Sequence, residues 1–410
     1  MNYLKGYSIQ TKVSFPIYFP DATRGVIRSL DSQDLRKSNV EGVVVNSYHL
    51  MSKPGQTVLK SLGGIKNFMH WDGLVVSDSG GFQLLSLVYE NSAFGKIDDE
   101  GITFYRDSKG KKSRHILTPE KSIQIQFNIG ADIMICLDDC PSAKATQEDH
   151  EKSVKRTIEW AGRSMDEYKR QLKNRQKHLN PPLSPFQKGE NLALHQEKTL
   201  TTTPPLEKIP TAIPPLEKGG RGDFKPLLFA VIHGGDDRQL RKQCAKELVD
   251  IGFNGYCFGG WPLDNNKELN RNILSLTASL MPDDLPKFAL GVGNPKAIVD
   301  CVKMGYTIFD CVLPTRDARH KRLYVFTKDP SELDIFNEEK ITDFVYVTDE
   351  KYVRDPRPIS QYCDCWTCHN YSRSYIKHLF EIEDTLSYRL ATIHNLRTYT
   401  KLIEILRKNV

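Results

Sequence analysis

No stretch of the chain approaches the roughly 20 continuous apolar residues of a membrane-spanning helix. The amino terminus, MNYLKGYSIQTK, has no apolar core of a secretory signal, so we expect a cytoplasmic protein. Hydrophobic residues make up 39% of the 410 positions and charged residues 26%, which excludes a collagen-like or wholly disordered chain. The length suits one large domain or two or three ordinary ones.

Neither sign of charge dominates. Lysine and arginine number 57 against 51 aspartates and glutamates, a net charge of +6. This balance permits a nucleic-acid partner without requiring one.

Aromatic residues are almost missing from one segment, residues 174–223. The tripeptide Pro-Pro-Leu recurs there, beginning at Pro181, Pro204 and Pro214. Proline interrupts helices and central strands, and the remaining residues are mostly polar. We therefore predict a disordered Pro-rich surface insertion, in preference to a Pro-rich docking site for a partner.

Short apolar runs typical of buried strands recur through the rest of the chain. They alternate with segments of helical periodicity, such as 119–130 and 237–252. This alternation predicts a (β/α)8 TIM barrel over residues 1–330, with a doubly wound open sheet as the alternative. The eight runs are 15–19, 43–45, 74–76, 133–137, 228–232, 255–258, 288–290 and 307–309.

Polar or glycine-rich turns follow six of these runs. A single aspartate after a strand is usually a helix cap or a turn residue. Several such residues following the same kind of strand predict an active site, because strand ends converge on one face of a barrel. The residues that arrive in this way include Asp78, Asp138, Asp139, His233, Gly260, Trp261 and Asp310.

Three of the nine cysteines, Cys363, Cys365 and Cys368, lie within six residues. Thiolates this close repel one another unless a cation binds them, and three cysteines with one histidine suit Zn²⁺. Both His378 and His394 follow. Four protein ligands leave no open position, so we predict one structural zinc per chain, in a subdomain over 331–410.

Several motifs resemble those of the tRNA-guanine transglycosylases. Members of that family are (β/α)8 barrels with a zinc subdomain, and the resemblance selects His394 as the fourth ligand. They exchange a guanine in tRNA, usually at the anticodon wobble position, for a 7-deazaguanine on the route to queuosine or archaeosine. The segments that carry the resemblance are TRGVIRSL (23–30), NSYHLMSKPG (46–55), SDSGGFQLLSL (77–87), LTPEKSIQIQ (117–126), DIMICLDDCP (132–141), GVGNPKAIVDCVKMGYTIFDCVLPTRDAR (291–319), CDCWTCHNYSRSYIKHL (363–379) and LATIHNLRTY (390–399).

The resemblance implies the catalytic residues. Exchange of bases on one ribose with retained configuration needs two displacements, and Asp310 matches the family nucleophile. Asp78 matches the acid/base that moves protons on the bases, and Asn46 matches a residue that orients it.

The resemblance also implies the residues that bind the base and the tRNA. Asp138 would accept the N1–H and 2-amino donors of guanine, and the Gly260 amide would donate to the 6-keto oxygen. Phe82 and Leu290 match the stacking positions, and Cys140 agrees with the bacterial pattern. The base must leave the anticodon stack to reach them. Arg316 and Arg319 match residues that hold the flanking nucleotides.

Two departures from the family pattern concern the base pocket. His233 replaces the usual glutamine and can still donate one hydrogen bond to the 6-keto oxygen. Trp261 and Asn265 replace residues that serve the aminomethyl group of the bacterial substrate, and Pro262 stiffens the same loop. We therefore expect a different incoming base: queuine, 7-cyano-7-deazaguanine or 7-deazaguanine.

The family's members are typically homodimers that bind the anticodon loop of tRNA, and we expect the same here. One alternative is the branch that inserts 7-deazaguanines into DNA. Another is a non-catalytic subunit, although such subunits lose the nucleophile or base, whereas Asp78, Asp138 and Asp310 are all present.

Overall fold

The computed structural model describes residues 13–90, 93–108, 111–142, 144–179, 225–264 and 266–409. Its strands, in chain order, are β1 (Ile17–Pro20), β2 (Gly42–Asn46), β3 (Leu74–Asp78), β4 (Gly95–Asp98), β5 (Gly101–Ser108), β6 (Lys111–Leu117), β7 (Ile133–Ile135), β8 (Leu227–Ile232), β9 (Gly255–Phe258), β10 (Lys287–Ala289), β11 (Ile308–Cys311), β12 (Arg322–Phe326) and β13 (Thr342–Tyr346).

The helices surround these strands and form most of the carboxyl-terminal region. In chain order they are α1 (Ser32–Lys37), α2 (Ser47–Ser52), α3 (Gln56–Ser61), α4 (Ile65–Met69), α5 (Gly81–Glu90), α6 (Pro119–Ile129), α7 (Gln147–Leu179), α8 (Arg238–Ile251), α9 (Arg271–Leu280), α10 (Pro295–Lys303), α11 (Leu313–Arg319), α12 (Trp366–Asn370), α13 (Arg373–Glu381) and α14 (Leu386–Asn409), with a short 3-10 helix at Glu350–Tyr352.

Eight parallel strands form a barrel in the spatial order β1-β11-β10-β9-β8-β7-β3-β2. The two outer strands meet where Asp21 pairs with Val44 and the Ala22 amide donates to the Val44 carbonyl at 2.7 Å. All eight predicted strands are present, so the barrel prediction is confirmed and the open-sheet alternative is wrong. Their apolar runs reflect burial on both faces of a parallel sheet.

Two apolar clusters hold the barrel together. One fills its interior and includes Phe19, Phe229 and Phe288, and a larger one lies between the strands and the helices. The strand ends are thereby fixed, and the residues that follow them form a defined face.

Two sheets outside the barrel had no counterpart among the predicted strands. β4, β5 and β6 form an antiparallel sheet inserted between β3 and α6, and β12 pairs antiparallel with β13. The second pair joins residues on both sides of the predicted domain boundary at 330. The boundary itself stays a prediction.

The predicted insertion lies mostly outside the described residues. Helix α7 continues to Leu179, so the first six residues of the 174–223 segment are helical. In the part of the chain that the structure describes, none of the helices is both long and apolar enough to cross a bilayer.

The carboxyl-terminal region has its own apolar cluster, which includes Val345, Ile376 and Leu390. The long helix α14 ties it to the barrel: the Asn395 side chain donates to the Pro314 carbonyl at 3.0 Å, and the Tyr399 hydroxyl donates to the Gly293 carbonyl at 2.7 Å. These bonds fix the loops after β10 and β11.

Candidate active site at the carboxyl ends of the barrel strands

Asn46 and Asp78 lie side by side at the ends of neighbouring strands. The register of β2 and β3 pairs the two residues directly. Asn46 Nδ2 donates to Asp78 Oδ2 at 2.8 Å, while Asn46 Oδ1 caps helix α2 by accepting from the Tyr48 amide at 3.0 Å. The cap fixes the amide orientation, so its donor side faces the carboxylate.

Asp310 is the third residue of β11, and its side chain is held by the neighbouring loop. The Gly291 amide donates to Asp310 Oδ1 at 2.9 Å. Burial raises the pKa of Asp310 to about 6, and the charge of Asp21 acts in the same direction. The carboxylate is therefore ionised at neutral pH, but the pocket stabilises its charge poorly, which favours reaction with an electron-poor carbon.

Asp78 has a higher pKa than Asp310. Burial raises the pKa of Asp78 to about 7, and the charges of Asp138 and Asp310 contribute further. The hydrogen bond from Asn46 opposes this shift. A carboxyl group with a pKa near neutrality can both donate and accept a proton, as an acid/base residue must.

Asp138 and His233 form a close pair in the same mouth. His233 Nε2 lies 2.7 Å from Asp138 Oδ2, and the imidazole is buried. This nitrogen is engaged with the carboxylate, so the predicted bond from His233 to a 6-keto oxygen requires Nδ1 or a rearrangement of the pair. That bond stays a prediction.

Two half-exposed aromatic rings cover one side of the mouth. Phe82, at the start of α5, contacts Trp261 edge to face, with ring centroids 5.8 Å apart. Trp261 Nε1 donates to the Pro141 carbonyl at 3.3 Å, which links the loops after β7 and β9. Leu290 immediately precedes Gly291, the residue that holds Asp310, and packs against the barrel interior. Asn265 lies outside the described residues.

Cys140 is buried in the loop after β7, next to Pro141, the carbonyl partner of Trp261. Its thiol is buried, which raises its pKa, while a hydrogen bond from the Gly260 amide lowers it. Cys140 therefore lies near Gly260, in the region where base-binding residues were expected.

Arg316 and Arg319 project from α11, which follows β11. Arg319 Nη1 donates to the Thr315 carbonyl at 2.7 Å. Burial lowers the pKa of Arg319, and the nearby charges of Arg28 and Arg316 add to this effect. The three guanidinium groups thus form a basic rim beside the acidic centre, suited to phosphates.

A cluster of metal-binding side chains lies away from the barrel mouth. The ligand atoms of Cys363, Cys365, Cys368 and His394 all lie within 4.8 Å of one another. His394 Nδ1 faces the thiols, 3.3 Å from Cys368 Sγ, while Nε2 lies 2.7 Å from the Tyr324 carbonyl. A carbonyl on the second nitrogen orients the first for coordination, so the donor set fits a metal ion. His378 is exposed on α13 and is not part of the cluster.

A family model described as queuine tRNA-ribosyltransferase matches residues 7–200 and 216–410. The chain belongs to this family. It is 34% identical over 395 residues to proteins named queuine tRNA-ribosyltransferase from three Staphylococcus aureus strains, bovine RF122 / ET3-1, JH9 and JH1. The match covers 96% of this chain and 85% of each relative. The predicted enzyme class, a tRNA-guanine transglycosylase among the pentosyltransferases, is confirmed.

Sequence reasoning about the transglycosylase site assigned no role to Asp139. Its carboxylate accepts hydrogen bonds from the Tyr89 hydroxyl and from Arg156, and its backbone bonds to the hydroxyls of Ser153 and Thr157. These contacts fix the loop that carries Asp138. The repeated spacing of Ser153, Arg156 and Thr157 on one face of α7 was the available signal.

A second residue to which the sequence analysis gave no role, Arg241, lies under the base-pocket loops. It is buried together with Cys244, Ala245 and Leu248 on the inner face of α8. An arginine in register with an apolar stripe is the sequence signal that marks it.

Proposed function

We propose that this enzyme exchanges guanine at the anticodon wobble position of tRNA for a 7-deazaguanine, through a covalent glycosyl–Asp310 intermediate. The observation that carries the proposal is the convergence of Asp78, Asp138 and Asp310 at one barrel mouth. Their environments differ, which supports different roles for the three carboxylates.

In the first step the Asp310 carboxylate forms a bond to the ribose anomeric carbon, C1′, as the bond from C1′ to guanine N9 breaks. The bonding electrons leave with guanine, and protonated Asp78 supplies the proton that neutralises it. In the second step ionised Asp78 removes a proton from the incoming base. The base nitrogen then forms a bond to C1′, and the bond to Asp310 breaks. Two inversions retain the configuration.

Incorporation of radiolabelled guanine tests this function. Purified enzyme is incubated with unfractionated tRNA or with DNA, and the products are digested with ribonuclease or deoxyribonuclease. We expect label only in ribonuclease-sensitive material. Label only in DNA would favour the DNA-acting branch, and no label in either would favour a non-catalytic subunit.

The pH dependence of the first step follows from the two pKa values. Asp310 must be ionised, so the rate should rise with pH through about 6, and Asp78 must be protonated, so it should fall through about 7. Asn46→Ala removes a hydrogen bond that favours ionised Asp78, so it should raise that pKa and move the falling limb to higher pH. Single-turnover release of guanine between pH 5 and 9 measures both limbs. An unmoved falling limb in Asn46→Ala, with Asn39→Ala as control, would contradict the assignment.

We propose that the incoming base does not carry the free, primary aminomethyl group of the bacterial substrate. Trp261 occupies the loop after β9, and Asp264 Oδ1, a nearby carboxylate oxygen, already accepts the amides of Asn266 and Glu268 at 2.8 and 3.0 Å. A primary ammonium group, with three N–H donors to satisfy, would find only this partly occupied carboxylate there. Equilibrium binding of queuine, 7-cyano-7-deazaguanine, 7-deazaguanine and the aminomethyl base should show the aminomethyl base bound more weakly than the tightest of the others. Tightest binding of the aminomethyl base would contradict this proposal.

We also propose that Cys363, Cys365, Cys368 and His394 hold one structural zinc ion. When bound, the ion would neutralise the thiolates and fix His394 on α14. The next residue, Asn395, donates a hydrogen bond to the start of α11. The homodimeric state and the cytoplasmic location stay predictions, the first checked by light scattering of the purified protein.

Removal of the metal should therefore loosen α14 and the basic rim. Cys368→Ser should abolish stoichiometric zinc and lower the free energy of unfolding by about 3 kcal/mol or more. KM for tRNA should rise more than kcat falls. Metal analysis and thermal unfolding measure these effects, with Cys301→Ser, a buried cysteine outside the cluster, as the control. Unchanged zinc content in Cys368→Ser would contradict the site.

A further inference from the structure

We infer that Arg241 is a positioning residue that aims the two donors of the base pocket and places a positive charge behind them. The inference rests on the proposed function, because it assigns Arg241 a part in binding and releasing guanine. Arg241 is only 1% exposed. Its guanidinium donates to three carbonyls, one at the end of β8 and two in the loops after β8 and β9: Nη1 to Ile232 at 3.2 Å, Nε to Gly235 at 2.7 Å and Nη2 to Gly259 at 3.1 Å.

Because the peptide bond is planar, a hydrogen bond to a carbonyl also fixes the direction of the N–H in the same peptide. In a trans peptide the C=O and the following N–H point in opposite directions. Arg241 holds the Gly259 carbonyl, so it fixes the Gly260 N–H on the opposite side of the peptide. It also donates to the Ile232 carbonyl, which accepts from the Gly259 amide at 3.0 Å as well, so the peptide that leads into His233 is tied to both. One side chain thus helps to place both residues expected near the 6-keto oxygen.

Close packing allows this reach. Gly234 has φ +142°, and a Cβ there would lie 2.6 Å from the Arg241 amide nitrogen and 2.7 Å from its Cγ. Only glycine lets the loop approach the first turn of α8 so closely. The guanidinium also lies over the Phe258 ring, with Cζ 4.6 Å from its centroid.

Within the described residues no carboxylate contacts Arg241 directly, although the charge of Asp236 acts to raise its pKa. Among the described residues it forms no salt bridge, and its fourth partner is the Thr277 hydroxyl at 3.3 Å. Burial lowers the pKa of Arg241 to about 10, so it stays protonated at neutral pH. An unpaired buried charge is costly, and an apolar side chain would suit the face formed by Cys244 and Leu248 equally well.

A developing anion accounts for this charge. Guanine departs with the electrons of its glycosidic bond, and part of the charge falls on the 6-keto oxygen. A cation on the carbonyl side of the Gly259–Gly260 peptide polarises that peptide and strengthens its N–H as a donor. Arg241 therefore stabilises the departing base through this peptide, without touching it.

Arg241→Met and Arg241→Lys test the inference, with Arg407→Met as the matched control. Arg407 also holds backbone carbonyls, those of Ser14 and Pro16, but at the amino end of β1 on the opposite face of the barrel. Arg241→Met should lower kcat for guanine exchange about 100-fold, with KM for tRNA changed less than about threefold. Arg241→Lys should recover part of kcat, and Arg407→Met should resemble the unmodified enzyme.

A comparison of free guanine with 6-thioguanine separates positioning from general damage. Both bases present the donors that Asp138 would accept, but sulfur is the weaker acceptor at position 6. Equilibrium binding should show that Arg241→Met reduces the preference for guanine over 6-thioguanine about tenfold, about the effect of one hydrogen bond between neutral groups. If Arg241→Met fails to fold, the preference for guanine over 6-thioguanine is measured in Arg241→Lys and tests the inference instead.

The outcomes separate the two proposals. Unchanged preference and kcat in folded Arg241 variants of an active enzyme would overturn the inference alone. Equal loss of both bases would also overturn it, because it would indicate general damage to the pocket. Failure of the unmodified enzyme to exchange guanine would overturn the proposed function, and the inference with it.

Discussion

Replacement of Asp310 with asparagine should reduce guanine exchange by at least about 10⁴-fold while tRNA binding stays nearly unchanged. The amide has almost the size of the carboxylate, and its Oδ1 can still accept the Gly291 amide. The pocket should therefore keep its shape. The variant loses the nucleophile itself, because a neutral amide oxygen bonds poorly to the anomeric carbon.

Two measurements check this expectation. Radiolabelled guanine incorporation reports turnover, and denaturing electrophoresis of enzyme with tRNA reports the covalent adduct, which should be missing from the variant. Asp300→Asn provides a matched control, because Asp300 is also a buried carboxylate but lies on α10, paired with Arg271 and Lys296. Exchange above a tenth of the unmodified rate in Asp310→Asn would exclude Asp310 as the nucleophile.

The barrel could be predicted because its strands carry their own signal. Each parallel strand is covered on both faces, so its sequence is an apolar run bounded by turns. The β4–β6 sheet gives a weaker signal: buried Ile102 and Phe104 alternate with other residues, and glycines at 95 and 101 break the runs. Gly95 and Gly101 approach neighbouring backbone too closely for a Cβ, a requirement that only the folded sheet reveals.

The residues of the candidate site could be found in sequence, but their partners could not. Asp78, Asp138 and Asp310 follow strands that local patterns identify. The pairing of Asp138 with His233 depends on loops after β7 and β8, 95 positions apart in the chain. The same holds for Arg241, whose three carbonyl partners lie at the end of β8 and in the loops after β8 and β9. Local periodicity shows that Arg241 faces inward but not what it meets there.

Replacement of Asp138 with asparagine should change the preferred base from guanine to xanthine. Guanine presents two adjacent donors, N1–H and the 2-amino group, and a carboxylate can accept both. Asparagine offers one acceptor and one donor, so its amide would face the 2-amino group of guanine, donor to donor. We expect kcat/KM for guanine to fall about 10³-fold, because the site then leaves buried polar groups unpaired.

Xanthine carries N1–H beside a 2-keto oxygen, which matches the acceptor and donor of asparagine. His233 supports the required orientation: with its Nε2 donating to Oδ1, the amide nitrogen is free to face the 2-keto oxygen. Competition of each base against labelled guanine measures the preference, and His233→Gln in the same background tests the orienting contact. Asp132→Asn is the control, because its buried carboxylate binds Lys66 and the Val75 amide at the amino end of β7; it should lower stability without changing base preference. An Asp138→Asn enzyme that still prefers guanine would show that another residue reads the guanine donors.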